Sequence, residues 1–251
     1  SSRARDIPPF HVMDLLARAR RLEAVGHSVI HLEVGEPDFA TIDPLVDAGI
    51  RALQAAHTHY TPATGLPALR EAIAGYYTSR YRQQVDPDRI VVTPGASGAL
   101  QLALAVCLDV GDSVILSDPG YACYPDFIRF AGGTPRLLAT REEEGFQPRP
   151  QDVEALLNNR TRAVLINSPS NPAGTLLPPA WLKELCNLPV PVVSDEIYHG
   201  LSYEAEECSA LEYSDRCFVL GGFSKAYAMT GWRLGYLIAP PAAMRTLQTL
   251  H

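Results

Sequence analysis

No apolar run in this sequence is long. The hydrophobic stretches are strand-sized and broken by Gly, Pro or a charge, well short of the roughly 18–20 residues that cross a bilayer. No membrane partner is expected. Blocks of basic residues are missing too, and the formal net charge is -7. That argues against nucleic acid or an anionic membrane surface and favours a small molecule as the partner. Cysteine is scarce: Cys107, Cys123, Cys186, Cys208 and Cys217 are odd in number, scattered and without a C-x-x-C pair. The pattern excludes a disulfide framework and a zinc template, leaves packing as their expected use, and suits a reducing, cytoplasmic compartment. His57 and His59 lie two apart with no further ligand types nearby, so no metal is expected. The N-terminus pairs no basic segment with an apolar core and a cleavage site. Residues 1-32 read instead as an arm and an amphipathic helix, and secretion is not expected.

What the chain does have is apolar residue enough for a full core: 47% of 251 residues are hydrophobic and 20% charged, the range of folded globular domains. Short β-branched runs recur, each followed by a turn and a helical pattern: "RIVVTP", "DSVILSDP", "TPRLLAT", "RAVLINSP", "PVVSDE", "RCFVLGGF" and "RLGYLIAP". Between them, "GALQLALAVCLDVG", "YPDFIRFAGG" and "PPAWLKELCN" have helical spacing with Gly or Asn stops. Strands alternating with helices predict an α/β fold with a mostly parallel sheet, whose ligands bind beyond the carboxyl ends of the strands. The residues just after the apolar runs are Gly-rich or polar: "TPGASG", "DPGY", "NSPSNPAG", "DEIYHG" and "GGFSK". Chemistry is therefore expected along one edge. The chain has no initiator Met, and "PPAAMRTLQTLH" stops inside a helical pattern without a Gly, Asn or Pro stop signal, so a fragment of a longer chain is expected.

Each of these turns has two readings. In "TPGASGALQLAL" the small residues Gly95, Ala96, Ser97 and Gly98 let backbone N–H groups face an anion at a helix start; the alternative is an ordinary turn capped by Ser97. It is neither a G-x-x-x-x-G-K-[ST] loop nor a G-x-G-x-x-G fingerprint, so nucleotide readings lose support. In "VVSDEIYHG", Asp195 and Glu196 follow a buried-looking strand, with Tyr198 three residues past Asp195. A carboxylate there can pair with a protonated ring nitrogen, or form a metal-binding or solvated acidic turn. Pro169 and Pro172 stiffen the backbone on either side of Asn171, which then either presents its amide to a ligand or serves its own backbone.

Lys225 is the sharpest case. A free lysine amine is only ~0.04% neutral at pH 7, so a nucleophilic one needs desolvation, neighbouring cations or covalent capture by an aldehyde. Arg233, eight residues on, offers a planar fork for phosphate, in bonds worth roughly 1.5–3 kcal/mol each. A plain surface lysine fits poorly among Phe223, Tyr227, Met229 and Trp232.

Together, "HLEVGEPDF", "HYTPATGLPALREAIAGYY", "TPGASGAL", "DPGYACYPDF", "NSPSNPAGT", "SDEIYHGL" and "FSKAYAMTGWRLGY" resemble, in order and over nearly the whole chain, the fold type I pyridoxal-phosphate-dependent aminotransferases of class I/II, the aspartate-aminotransferase-like group. The resemblance implies a three-layer α/β/α fold with about seven strands. Residues 33-251 would be the pyridoxal-phosphate-binding large domain, cut short at its C-terminal end, with the small C-terminal domain absent. It implies that Lys225 holds the cofactor aldehyde as an imine and then shuttles the substrate proton. Asp195 would pair with the pyridinium nitrogen, and Asn171 and Tyr198 with the phenolic oxygen. Tyr121 would stack on the ring. Ala96, Ser97, Ser224 and Arg233 would hold the phosphate. Gly35, and Asn171 beside it, would meet the substrate carboxylate. Tyr60 would reach the phosphate of a neighbouring subunit, which implies a homodimer.

Two departures stand out. Gly222 stands where the family often has a phosphate-binding Ser, which shifts weight onto Arg233. Family members also run well past 251 residues, and the arginine that clamps the substrate carboxylate lies in the remainder. The function implied is transfer of an amino group between an amino acid and a 2-oxo acid. A β-lyase or decarboxylase of the same fold, a non-catalytic effector domain that binds the cofactor, and an inactive fragment are the alternatives.

Overall fold

Every one of the seven apolar runs forms a strand. The computed structural model describes residues 5, 7–203 and 205–251, so the first residues of the arm expected over 1-32 lie outside the described residues. The strands are β1 (Ile90–Thr93), β2 (Ser113–Asp118), β3 (Thr134–Ala139), β4 (Thr161–Asn167), β5 (Val192–Asp195), β6 (Phe218–Gly222) and β7 (Gly235–Ile238). They make one sheet in the order β1-β7-β6-β5-β4-β2-β3. All neighbours are parallel except β7, which runs antiparallel to both β1 and β6.

Period-two alternation sorts the strand side chains into two cores. Val164, Ile166, Val219 and Ile238 face Ile73, Tyr77, Leu182 and Leu185. Their alternates, Ala163, Leu165, Leu220 and Leu237, face Leu100, Leu104, Ile128 and Leu247. The first set packs under helices α3 (Pro67–Tyr81) and α7 (Pro179–Cys186), the second under α4 (Gly95–Cys107), α5 (Tyr124–Phe130) and α8 (Met244–Leu250). The result is a three-layer α/β/α architecture with a mostly parallel sheet. Three further helices are α1 (His11–Ala24), α2 (Asp43–Gln54) and α6 (Pro150–Leu156). Proline in the first turn, where its missing N–H has no helical partner to lose, starts α2, α3, α6 and α7.

The sheet topology decides where a ligand can sit. From β2 the chain steps outward to β3, whereas from β4 it steps the other way to β5 and β6, so a crevice opens beyond the carboxyl ends of β2 and β4. The antiparallel β7 adds to this edge in its own way: it is its starting end, Gly235, that lies beside Gly222 at the end of β6. The segment 223–234 between them therefore begins and finishes at the same edge. No helix among the described residues is long and apolar enough to cross a membrane.

Candidate active site

A cavity of about 570 Å³ occupies that crevice. Gly35, Ala96, Ser97, Tyr121, Asn171, Asp195, Tyr198, Ser224, Lys225 and Arg233 all line it, so residues spread over 199 positions of sequence meet at one place.

Asp195 closes β5, a strand buried along its whole length, and is itself 7% exposed. Tyr124 donates its hydroxyl to Oδ2 at 2.7 Å, and the Ile197 backbone N–H donates to Oδ1 at 3.1 Å. Burial pushes the carboxyl up to about 6; these two bonds, which favour the charged form, pull it back in part. No cationic side chain among the described residues contributes to that balance. Glu196, the next residue, points to the other side of the sheet, where Oε1 accepts from Ser194, Ser209 and the Ala210 N–H. Both carboxyls are buried, so the turn is not a solvated acidic one. Among the described residues no cluster of three or more His, Cys, Asp or Glu could hold a metal ion.

Across the cavity, Asn171 donates from Nδ2 to the Tyr198 hydroxyl at 3.1 Å. The tyrosine's own proton is thereby free to point at a ligand, and burial raises its pKa so that it stays a donor at neutral pH. Asn171 is fixed in turn: its backbone N–H donates to Asn167 Oδ1 at 2.7 Å, while Asn167 Nδ2 donates to the Asp195 carbonyl at 2.9 Å. The Asn171 amide thus serves Tyr198, not its own backbone. Tyr121 stands edge-on to Tyr124, ring centres 5.2 Å apart.

Lys225 follows β6 and is one of only two lysines in the chain; the other, Lys183, is exposed on α7. Its Nζ donates to the Gly35 carbonyl at 2.5 Å and lies 5.8 Å from the centre of the Tyr198 ring. Burial lowers its pKa; nearby Arg233 lowers it further, and Glu36 acts against both. Arg233, in the left-handed region with φ 52°, precedes β7 and donates to the Thr230 carbonyl at 2.8 Å. Its guanidinium lies so close over Gly95 that a Cβ there would collide with it. Gly95 itself has φ 76°, a conformation that L side chains rarely adopt. From below, a Cβ on Gly235 would stand 2.6 Å from the Ala96 nitrogen. The first turn of α4, which Gly95 opens, is thus held between the Arg233 guanidinium and Gly235, and Pro94, its N-cap, supplies no side-chain cap. Ser97 lies inside the helix and is not the cap, so the backbone N–H groups of this turn stay open to the cavity.

The mouth is formed by the segment around Gly35, stitched to 228–232 by Thr41 on the Ala228 carbonyl at 2.5 Å, Thr230 on Glu36 at 2.6 Å and Trp232 on Thr41 at 3.1 Å. Tyr60 is the expected site residue that the chain does not bring to the cavity; it is fully exposed. Gly222 also stays out of it. A Cβ at Gly222 would meet Ile197 Cδ1 at 2.9 Å and the Gly235 Cα at 3.3 Å, so a larger residue there requires Ile197 to move. Sequence reasoning missed Tyr124, Asn167 and Glu36, each joined to the site by partners far away in sequence. Tyr124 had one visible sign, its place in "YACYPDF" three residues after Tyr121.

Known proteins resemble this chain over nearly its whole length. The family model of aminotransferase class I and II matches residues 27–251. A (5-formylfuran-3-yl)methyl phosphate transaminase from Methanocaldococcus jannaschii is 43% identical over 95% of this chain, and an aspartate aminotransferase from Thermotoga maritima is 42% identical over 95%. The chain spans 63% and 65% of their lengths. The solved structure of aspartate aminotransferase from Thermus thermophilus with maleate superimposes with a TM-score of 0.96 at 36% identity, over 100% of this chain and 67% of that one. The chain belongs to the class I and II aminotransferase family.

Proposed function

We propose that this chain forms the cofactor-binding part of a pyridoxal-phosphate-dependent aminotransferase, which moves an amino group between an amino acid and a 2-oxo acid. The observation that carries the reading is Asp195. A buried carboxyl with no counter-cation among the described residues stands in one cavity with a lysine whose pKa is lowered and with an arginine. Such a carboxyl is costly unless a ligand brings the positive charge.

The residues fit the cofactor. Asp195 has acceptor capacity left for a ring N–H beyond its bonds to Tyr124 and Ile197. Asn171 and Tyr198 offer donors to a phenolic oxygen, and Tyr121 an aromatic face. The open N–H groups at Ala96 and Ser97, the Ser224 hydroxyl and Arg233 offer a phosphate cradle in which a glycine on either side leaves room for close approach. When bound, pyridoxal phosphate supplies an aldehyde that takes up the amino group and a ring that withdraws electrons from the substrate's α-carbon. Lys225 would hold the cofactor through its ε-amine and, when free of it, would hold or move a proton at Nζ. Burial and Arg233 favour the neutral amine that both tasks need. Gly35 and Asn171 receive the substrate's carboxylate.

Full exposure of Tyr60, together with exposed Ile30, Leu32, Phe39 and Ile42, supports a homodimer in which Tyr60 reaches the neighbouring site. The five free thiols support a reducing, cytoplasmic setting.

The test is a visible spectrum of the whole protein with pyridoxal phosphate, before and after single amino acids, beside Lys225→Ala. A visible band that bleaches with an amino acid, gives a 2-oxo acid and disappears in the variant supports the reading. A band that persists unchanged in Lys225→Ala overturns it. Release of ammonia or CO₂ in place of amino transfer replaces it with a lyase or decarboxylase. Borohydride trapping and peptide mapping should place the label on Lys225 and leave Lys183, the other lysine of this sequence, unlabelled.

A further inference from the structure

Tyr198 and His199 are consecutive in the turn after β5 and face opposite ways. Tyr198 lines the large cavity; His199 lines a second one, of about 240 Å³, on the α3 side of the sheet. His199 is buried where three elements meet. Its Nε2 is 3.0 Å from the Ser168 carbonyl, which can only accept, so Nε2 carries a proton. Nδ1 lies 2.6 Å from the hydroxyl of Tyr81, the last residue of α3. Glu196 Oε2 is 3.6 Å from Nδ1 and has no hydrogen-bond partner.

Ser168 opens the loop that carries Asn171, and its hydroxyl accepts from the Leu177 N–H at 3.0 Å. Further in, Gly174 donates to the Ser170 carbonyl at 2.8 Å, which makes the loop a small self-bonded unit. Between residues 168–174 and 196–200 the structure has two hydrogen bonds among the described residues. One is the Asn171–Tyr198 pair inside the active cavity, and the other is His199 to Ser168 behind it. The pair that faces the ligand is therefore braced from the rear by a side chain that cannot touch it.

We propose that His199 is a positioning residue. Its Nε2–H holds Ser168, and with it the Asn171 loop, against the turn carrying Tyr198, so that both donors meet the cofactor's phenolic oxygen as one preset unit. The inference rests on the pyridoxal-phosphate reading above. Donors at that oxygen stabilise its anion and lower the pH at which the bound chromophore loses its proton. A loosened pair lets that pH rise. The other titratable groups around His199 are Glu196, Tyr81, Glu207 and, across the second cavity, Tyr76, Tyr77, Tyr227 and Tyr236; all are common to the wild type and the variants below.

The amide of Gln can place a donor where Nε2 stands, whereas the shorter amide of Asn reaches only the Nδ1 position. His199→Gln, His199→Asn and His199→Ala are compared by two readouts in the whole protein. The first is hydrogen exchange at the Asn171 and Gly174 amides without cofactor. The second is the pH midpoint of the visible band after reconstitution with pyridoxal phosphate. Loss of one buried hydrogen bond predicts about fivefold faster exchange in the Asn and Ala variants. Their midpoint is expected to rise by about half a pH unit, while Gln stays near wild type in both. Equal behaviour of Gln and Asn, or faster exchange with an unmoved midpoint, overturns the proposal. A wild type that takes up no visible band overturns the functional reading instead, and the exchange comparison then decides the clamp by itself.

Discussion

Replacing Asp195 by Asn is expected to stabilise the cofactor-free protein while damaging its site. In the folded state the carboxyl rises from 3.8 to about 6, chiefly through burial. Between about pH 4 and 6 the folded protein thus holds this proton more tightly than the unfolded chain does, and stability falls as pH rises. The displacement of the pKa, at about 1.4 kcal/mol per pH unit, amounts to about 3 kcal/mol lost by neutral pH. Asn is nearly isosteric and has no such charge to bury. Its Oδ1 can still accept from Ile197, and its amide can meet the Tyr124 oxygen. Urea unfolding of both cofactor-free proteins from about pH 4.5 to 8 measures the difference, and the carboxylates they share cancel. The variant should gain on the wild type as pH rises, up to about 3 kcal/mol above pH 7. Added pyridoxal phosphate should reverse the order, because a ring cation raises the stability of the wild type more than that of the variant. A difference flat with pH, or a variant that is the weaker at pH 8 without cofactor, would refute the reasoning.

Tyr124→Phe removes a charge-assisted bond to Asp195, worth about 1.5–3 kcal/mol, so the upper end of the pH range over which stability falls should move up by about one to two units. The same titration checks it. Gly235→Ala drives a Cβ to 2.6 Å from the Ala96 nitrogen, against backbone that cannot swing away. It should lower stability by about 1–3 kcal/mol and weaken binding of pyridoxal phosphate, measured by thermal unfolding and by titration of the visible band. Leu104→Ala, at a fully buried position of α4, should destabilise by about 2–5 kcal/mol. Unfolding with and without cofactor then separates loss of core from loss of site.

The seven strands were legible because the apolar runs are short, most of them β-branched and most of them closed by Gly, Pro or Asp. The direction of β7 was not. "RLGYLIAP" reads the same whether its strand runs with or against its neighbours, since alternation reports which residues share a face and says nothing of orientation. The split between Asp195 and Glu196 is partly legible: consecutive strand residues must face opposite ways, but which side holds the cavity depends on the crevice beyond β2 and β4. Tyr124, Asn167 and His199 stayed hidden for a simpler reason. Each acts through a partner that only the sheet brings near, Asp195 for Tyr124 and Asn167, and Ser168 and Tyr81 for His199.

Lys225 and Arg233 are anchored to the paired residues Gly222 and Gly235 by the two ends of one segment. That makes the hairpin a ruler. The short links from those glycines, residues 223–224 and 234, set the gap between the amine and the guanidinium, so a molecule bound as proposed would be measured as well as held. A compound carrying the same aldehyde and phosphate on a shorter or longer spacer should engage one cation at a time. Adding or deleting one residue between Gly222 and Lys225, or between Arg233 and Gly235, should change which spacer fits while leaving the strands as they are.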